Sequence, residues 1–242
     1  MELALAANVS TRHLSFVETG RAQPGYDLVL RLAEVLELPL RHSNALLVAA
    51  GFAPRYSTWS IDDEETGIVR AALKRILAQH EPYPALVTTR SYDLIMANNG
   101  TRKLLSWLTG GDDLLSRFGN SYRLLFAPDG LRPYVVNFDR LQDMLLKRLH
   151  EESITYQSAA LLQLYQTCAA EVAARKSTPR TAIDQQLPVM TLGLRNGDVE
   201  VCFFSTLTSF GTAIDVTTQE LRIESLFPAN EETEKFVQSL TD

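Results

Sequence analysis

The chain is short of cysteine, of histidine and of excess positive charge, and each shortage removes a class of function. It has only two cysteines in 242 residues, Cys168 and Cys202. They lie far apart, outside any metal-ligand spacing, and read as two reduced, mostly buried thiols rather than a disulfide framework. The four histidines, His13, His42, His80 and His150, are scattered. None stands four residues from another or within a cysteine pair, so no metal site is expected. His150-Glu151-Glu152 reads as a solvated helix end. There is no Gly-x-Ser-x-Gly elbow, no phosphate-binding loop and no dinucleotide fingerprint. An enzyme is therefore not expected, and no residue is assigned a catalytic role. No apolar run approaches the roughly 18 residues that suggest a transmembrane helix. No basic start with a clean apolar stretch announces secretion. A cytoplasmic protein without a membrane partner is the expectation.

Charge narrows the choice further. The net charge of −6 argues against a protein that coats nucleic acid. Residues 1–60 hold five arginines (12, 21, 31, 41 and 55) against five acids (Glu2, Glu18, Asp27, Glu34 and Glu37). That end is neutral, and the remainder carries the whole deficit. What the chain has in quantity is apolar surface, 45% of its residues, enough for a well-packed core. Its length suggests two domains, placed at 1–54 and 55–242.

The most informative stretch is Leu3–Gly20, LALAANVSTRHLSFVETG. Leu3–Ala7 is made of strong helix formers. Asn8 stands where a tight interhelical turn needs positive φ, which Asn tolerates better than most residues. Ser10 is a good N-cap for a second helix. Val9, Leu14 and Val17 form its inner face, so Thr11, Arg12, Ser15 and Phe16 point outward. Gly20 is a plausible stop. Asp27–Leu38 and Leu40–Ala50 follow as amphipathic helices, with Leu28, Leu32, Val35 and Leu36, then Leu40, Leu47 and Ala50, facing inward.

Val9, Ser10, Leu14, Ser15, Val17, Glu18 and Gly20 match the order and spacing of the helix-turn-helix in the xenobiotic-response-element family, and the segment resembles it. The resemblance implies that Ser10, Thr11, Arg12, His13, Ser15 and Phe16 enter a major groove. Thr11 and Arg12 are then the base readers, since Arg can pair bidentately with guanine. Ser10, Thr19 and Arg21 would contact phosphates. The family's first helix would precede Leu3, with Glu18 paired to a base on it. Double-stranded DNA is the expected partner when that helix is supplied.

Beyond a connector at Gly51–Asp63, a helix is expected to end near His80. Strands Ala85–Thr89 and Asp93–Ala97 flank a turn at 90–92. Helices follow at Asn98–Leu108, Val136–His150 and Ser158–Arg175, around an irregular stretch at Gly110–Asn120 and a short apolar piece at Tyr122–Phe126. Val189–Arg195 and Val199–Thr206 form a hairpin through Asn196-Gly197. Ser209–Ile214 is a candidate third late strand and Leu221–Phe227 a fourth, before a helix at Glu231–Leu240. Two early strands, helices, then late antiparallel strands resemble a PAS domain with a five-stranded sheet. The class is α+β: an all-α helix-turn-helix bundle, then a PAS-like domain with flanking helices.

The pieces YPALV (83–87), LIMANNG (94–100), LLFAPDGLRP (124–133) and the tail at 205–229 resemble the MmyB-like regulators, over nearly the whole chain. That resemblance implies a one-component transcription regulator whose PAS-like pocket holds a small, fatty-acid-like molecule; a homodimer is expected because one recognition helix reads too few base pairs for genomic specificity. No other cofactor is expected. Ile95, Trp107, Leu125, Phe204 and Phe210 are candidate pocket walls, with Phe203 the alternative to Phe204. Asn98, Arg123, Arg132 and Asn137 are candidate anchors for a carboxylate. A ligand-sensing or dimerisation module that does not bind DNA is the alternative reading.

Overall fold

The computed structural model describes residues 2–174 and 189–240. The chain forms two compact units. Met1–Arg70 together with Phe210–Glu220 make the first, and Ala71–Ser209 together with Leu221–Asp242 make the second.

The first unit opens with α1 (Glu2–Ala6) and α2 (Thr11–Glu18). Asn8 takes φ 51° in the turn between them, as the sequence requires. The Ser10 side chain accepts from His13 N at 3.2 Å and caps α2. Ala4, Ala7, Leu14, Leu28 and Leu32 form the buried core, with Leu3, Val9 and Val17 packed on it. Helices α3 (Tyr26–Val35) and α4 (Leu40–Ala49) complete the bundle. Val35 and Leu36, expected inside, are exposed, because α3 ends at Val35 and the turn at Glu37 (φ 49°) redirects the chain. Asn44 then pins the connector: its amide donates to Tyr56 O at 2.7 Å and its oxygen accepts from Tyr56 N at 2.9 Å.

The expected strand at Ser209–Ile214 does not form. These residues are turn and coil, and a short helix follows, numbered α11 below (Val216–Glu220). Asp215 caps it, accepting from Thr218 N at 2.9 Å. Glu220 holds Arg41 of α4 through two bonds, 2.7 and 2.8 Å, and Gln219 accepts from Leu40 N at 2.8 Å.

The 3-10 turn Glu64–Thr66 leads into α5 (Gly67–Gln79). The second unit then runs β1 (Ala85–Thr88), β2 (Leu94–Ala97), α6 (Asn99–Thr109), α7 (Leu114–Phe118), α8 (Ser121–Phe126), α9 (Phe138–Thr155), α10 (Ala159–Ala173), β3 (Thr191–Asn196), β4 (Val199–Thr208), then β5 (Arg222–Pro228) and α12 (Glu231–Ser239). Arg175, the expected end of α10, lies outside the described residues. The five strands form one antiparallel sheet in the order β2-β1-β5-β4-β3. The fold is α+β, as expected. Asn196 pairs with Val199, so the hairpin loop is Gly197-Asp198 rather than Asn196-Gly197, and Gly197 supplies the positive φ of 59°. Tyr122–Phe126 is helical because Asn120 accepts from Tyr122 N and Arg123 N and nucleates the turn.

Asn98 ties the front of this unit together. Its oxygen accepts from Ala85 N and Thr101 N, both at 2.9 Å, and its amide donates to Tyr83 O at 2.8 Å. Beside it, a Cβ on Gly100 would stand 2.3 Å from Pro82 O and 2.8 Å from Tyr83 O, so only glycine permits this approach. The core gathers Leu104, Leu105, Phe126, Leu149, Leu161 and Phe203 from both layers.

Candidate ligand cavity and candidate recognition helix

Strand pleating assigns the sheet two chemically different faces. On one, Val87 and Ile223 pair across strands and are buried. On the other, Leu86, Thr88, Leu192, Phe203, Ser205, Leu207, Glu224 and Leu226 line a cavity of about 370 Å³. Helices close it with Leu104 and Leu105 of α6, Leu124 and Leu125 of α8, and Leu141, Met144 and Leu145 of α9. The walls are aliphatic, and such a surface drives out water and holds a hydrocarbon chain.

The charged side chains of this wall stand in one cluster. Tyr92, Tyr122, Arg148, Ser205 and Glu224 all reach the cavity. Behind them stands Glu152, which accepts from Arg148 Nε at 3.1 Å, Arg222 Nη1 at 2.9 Å and the Tyr92 hydroxyl at 3.0 Å. The Arg222 guanidinium also lies over the Tyr92 ring, 5.0 Å from its centre. The Tyr92 and Tyr122 rings are 4.3 Å apart. Burial raises the pKa of both phenols, so both stay protonated donors. The Tyr122 hydroxyl is sealed from water beside Tyr92 yet makes no hydrogen bond of good geometry. Burial also raises the Glu224 carboxyl, opposed by a hydrogen bond from Ser205 and by the charge of Arg148.

An aliphatic cavity with a charged cluster, between an antiparallel sheet and helices, is the site the comparison with known families addresses. The family model for the MmyB-like transcription regulator ligand binding domain matches residues 69–240. The chain belongs to the MmyB-like transcription regulators. A comparison with curated proteins finds no match.

In this MmyB-like domain Leu125 and Phe204 border the cavity. The register makes Phe203 the residue that shares the cavity face, while the Phe204 ring stacks on Phe227 at 5.5 Å. Ile95 and Trp107 are not in the cavity wall, and Trp107 packs on Phe236 at 4.6 Å. Phe210 belongs to the first unit. Of the four candidate anchors, none lines the cavity. Asn98 is consumed by its backbone bonds. Arg123 is exposed, because α8 turns Tyr122 and Phe126 inward and carries Arg123 out. Arg132 reaches Glu171, 3.6 Å from its carboxylate. Asn137 clasps β3, donating to Thr191 O at 2.7 Å and accepting from Gly193 N at 3.0 Å.

The cation in the wall is Arg148 of α9, which was not among the candidate anchors. Glu152, read as part of a solvated helix end, is the hub of the cluster. Sequence held one usable signal: Arg222 and Glu224 alternate with apolar residues in a strand, so two charges share one face. Elsewhere, Cys168 is buried with its thiol pushed up to about 12 by desolvation, and Cys202 is only partly buried. Among the described residues no group of three or more His, Cys, Asp and Glu side chains is placed to hold a metal, and no helix is long and apolar enough to cross a membrane.

The candidate recognition helix is α2. Thr11, Arg12 and Ser15 are exposed on it, and His13 and Phe16 half-buried. Arg12 lies over the Phe16 ring at 5.3 Å. Past the helix, Arg21 is exposed, and the Thr19 hydroxyl donates to Ser15 O at 2.7 Å.

Proposed function

We propose that this MmyB-like protein is a one-component transcription regulator, in which a small amphipathic molecule of fatty-acid type occupies the cavity and changes the binding of α2 to double-stranded DNA. The observation that carries the reading is the cavity: about 370 Å³, aliphatic walls and one charged cluster. An alkyl chain suits the walls and an anionic head suits Arg148. A ligand changes DNA binding only by its different affinity for two arrangements of the protein. The proposal includes a homodimer, since one recognition helix reads too few base pairs for genomic specificity. Thr11 and Arg12 are the base readers in this proposal.

Two measurements test it. Mass spectrometry of the natively purified protein, then of its denatured extract, is expected to identify a bound carboxylic acid with an alkyl tail. A gel shift on the chain's own promoter is expected to respond to that molecule and to weaken with Arg12→Ala. Equal shifts for both proteins would remove Arg12 as a base reader. A shift in neither protein favours the other reading, a ligand-sensing module that does not bind DNA, to which the neutral charge balance of residues 1–60 already inclines.

A further inference from the structure

The charged cluster of the cavity does not have a settled charge. Glu152 is shared between Arg148 and Arg222, at 3.1 and 2.9 Å, so these three groups together leave one positive charge. Tyr92 and Tyr122, from the β1–β2 turn and α8, are neutral donors. The remaining group is Glu224 of β5, in the wall with Arg148 of α9 and facing Ser205 of β4. Its strand partners, Leu86 of β1 and Leu207 of β4, bring no charge. With Glu224 ionised the cluster is neutral, and an anionic head would sit beside a like charge among aliphatic walls. With Glu224 protonated the cluster carries one positive charge, and Arg148 has four guanidinium N–H donors besides the Nε–H given to Glu152.

Resting on the reading of the cavity as a site for an anionic amphiphile, we infer that ligand binding is coupled to protonation of Glu224. An anionic head on Arg148 and a proton on Glu224 enter together. The proton comes from solvent and stays on a Glu224 carboxyl oxygen, which is then a donor to the ligand or to Ser205. The regulator thereby reads acidity along with ligand. Burial already raises the Glu224 carboxyl in the free protein, the direction that favours proton uptake.

The test uses octanesulfonate, whose head stays anionic throughout, and octanol as the neutral control. Binding to the full chain is measured by calorimetry between about pH 5 and about pH 9, in buffers of different ionisation heat. Octanesulfonate is expected to lose about tenfold in affinity per pH unit above the Glu224 transition, with up to one proton taken up. Octanol is expected to bind without this dependence. In Glu224→Gln the octanesulfonate affinity should become flat with pH and stay at the acid-side value. A wild-type protein that binds octanesulfonate equally at every pH, with no proton uptake, would overturn the coupling alone. A pH dependence that persists in Glu224→Gln would move it to another group and also overturn it. Binding of neither probe at any pH would overturn the amphiphile reading of the cavity itself. The proton count from wild-type calorimetry stands even where the variant folds poorly.

Discussion

Arg222 of β5 donates to the Glu152 carboxylate of α9 at 2.9 Å, with both side chains less than a fifth exposed. Seventy residues separate the two in sequence, yet this pair joins the sheet to the helix that closes the cavity. Arg148 occupies the other carboxylate oxygen. One acid therefore orients two cations, one of which faces the ligand site.

Glu152→Gln is expected to lower stability by about 2 kcal/mol, because the largely buried Arg222 and the partly exposed Arg148 both lose the carboxylate that compensates them. Urea unfolding should show a lower midpoint at unchanged slope. An unchanged midpoint would mean that the cluster is solvated well enough to be dispensable.

Asn98→Ala tests whether that side chain is structural or a ligand anchor. Five hydrogen bonds around a buried site disappear, and two backbone N–H groups lose their acceptor. A loss of about 2–3 kcal/mol is expected in thermal unfolding. Octanesulfonate affinity per folded molecule should stay unchanged. A selective loss of binding with stability intact would return Asn98 to the site.

Gly100→Ala adds one methyl group where two backbone carbonyls already stand. Neither carbonyl is the free end of a flexible side chain, so the chain itself must shift. The expected cost is about 2 kcal/mol or more, read as a lower melting temperature. A melting temperature equal to that of the parent would show that the Pro82–Tyr83 segment yields easily.

Glu224 makes stability depend on pH in a direction opposite to most carboxylates. Its folded pKa is raised, so the folded state holds the proton where the unfolded chain has released it. Stability therefore falls as pH rises from the ordinary carboxylate range through the folded transition, and levels off beyond it. Comparing unfolding of the parent and Glu224→Gln across that range isolates the effect, and the variant should lose this descent. Parallel curves would show that Glu224 titrates as in the unfolded chain.

Local physics alone reaches far in this protein. Ser10 as a cap, Asn8 with positive φ, and the apolar spacing of Leu14 and Val17 need only neighbours within a few residues. The same holds for α9, α10 and the period-two strands. These features depend on backbone conformation and helical or strand periodicity, which short sequence windows carry. Boundaries were less legible where a remote partner decides them. Ser209–Ile214 is apolar enough for a strand, but Phe210–Glu220 is part of the first unit, in which Glu220 finds Arg41 and Gln219 finds Leu40 N. No window near residue 210 contains those partners.

The site shows the same division. Sequence alone determined the helix-turn-helix pattern, the α+β class and the family resemblance, because these rest on local periodicity and on contiguous motifs. It also pointed to a cavity between sheet and helices. Only the tertiary structure decided which polar residues face it. The polar side of β5 looks like a water-facing edge when read alone. Folding lays that side against α9 instead, where Arg222 and Glu224 meet Glu152, Arg148 and Tyr92. Charges so distant in sequence interact through space, and their spacing is set by how strand and helix pack.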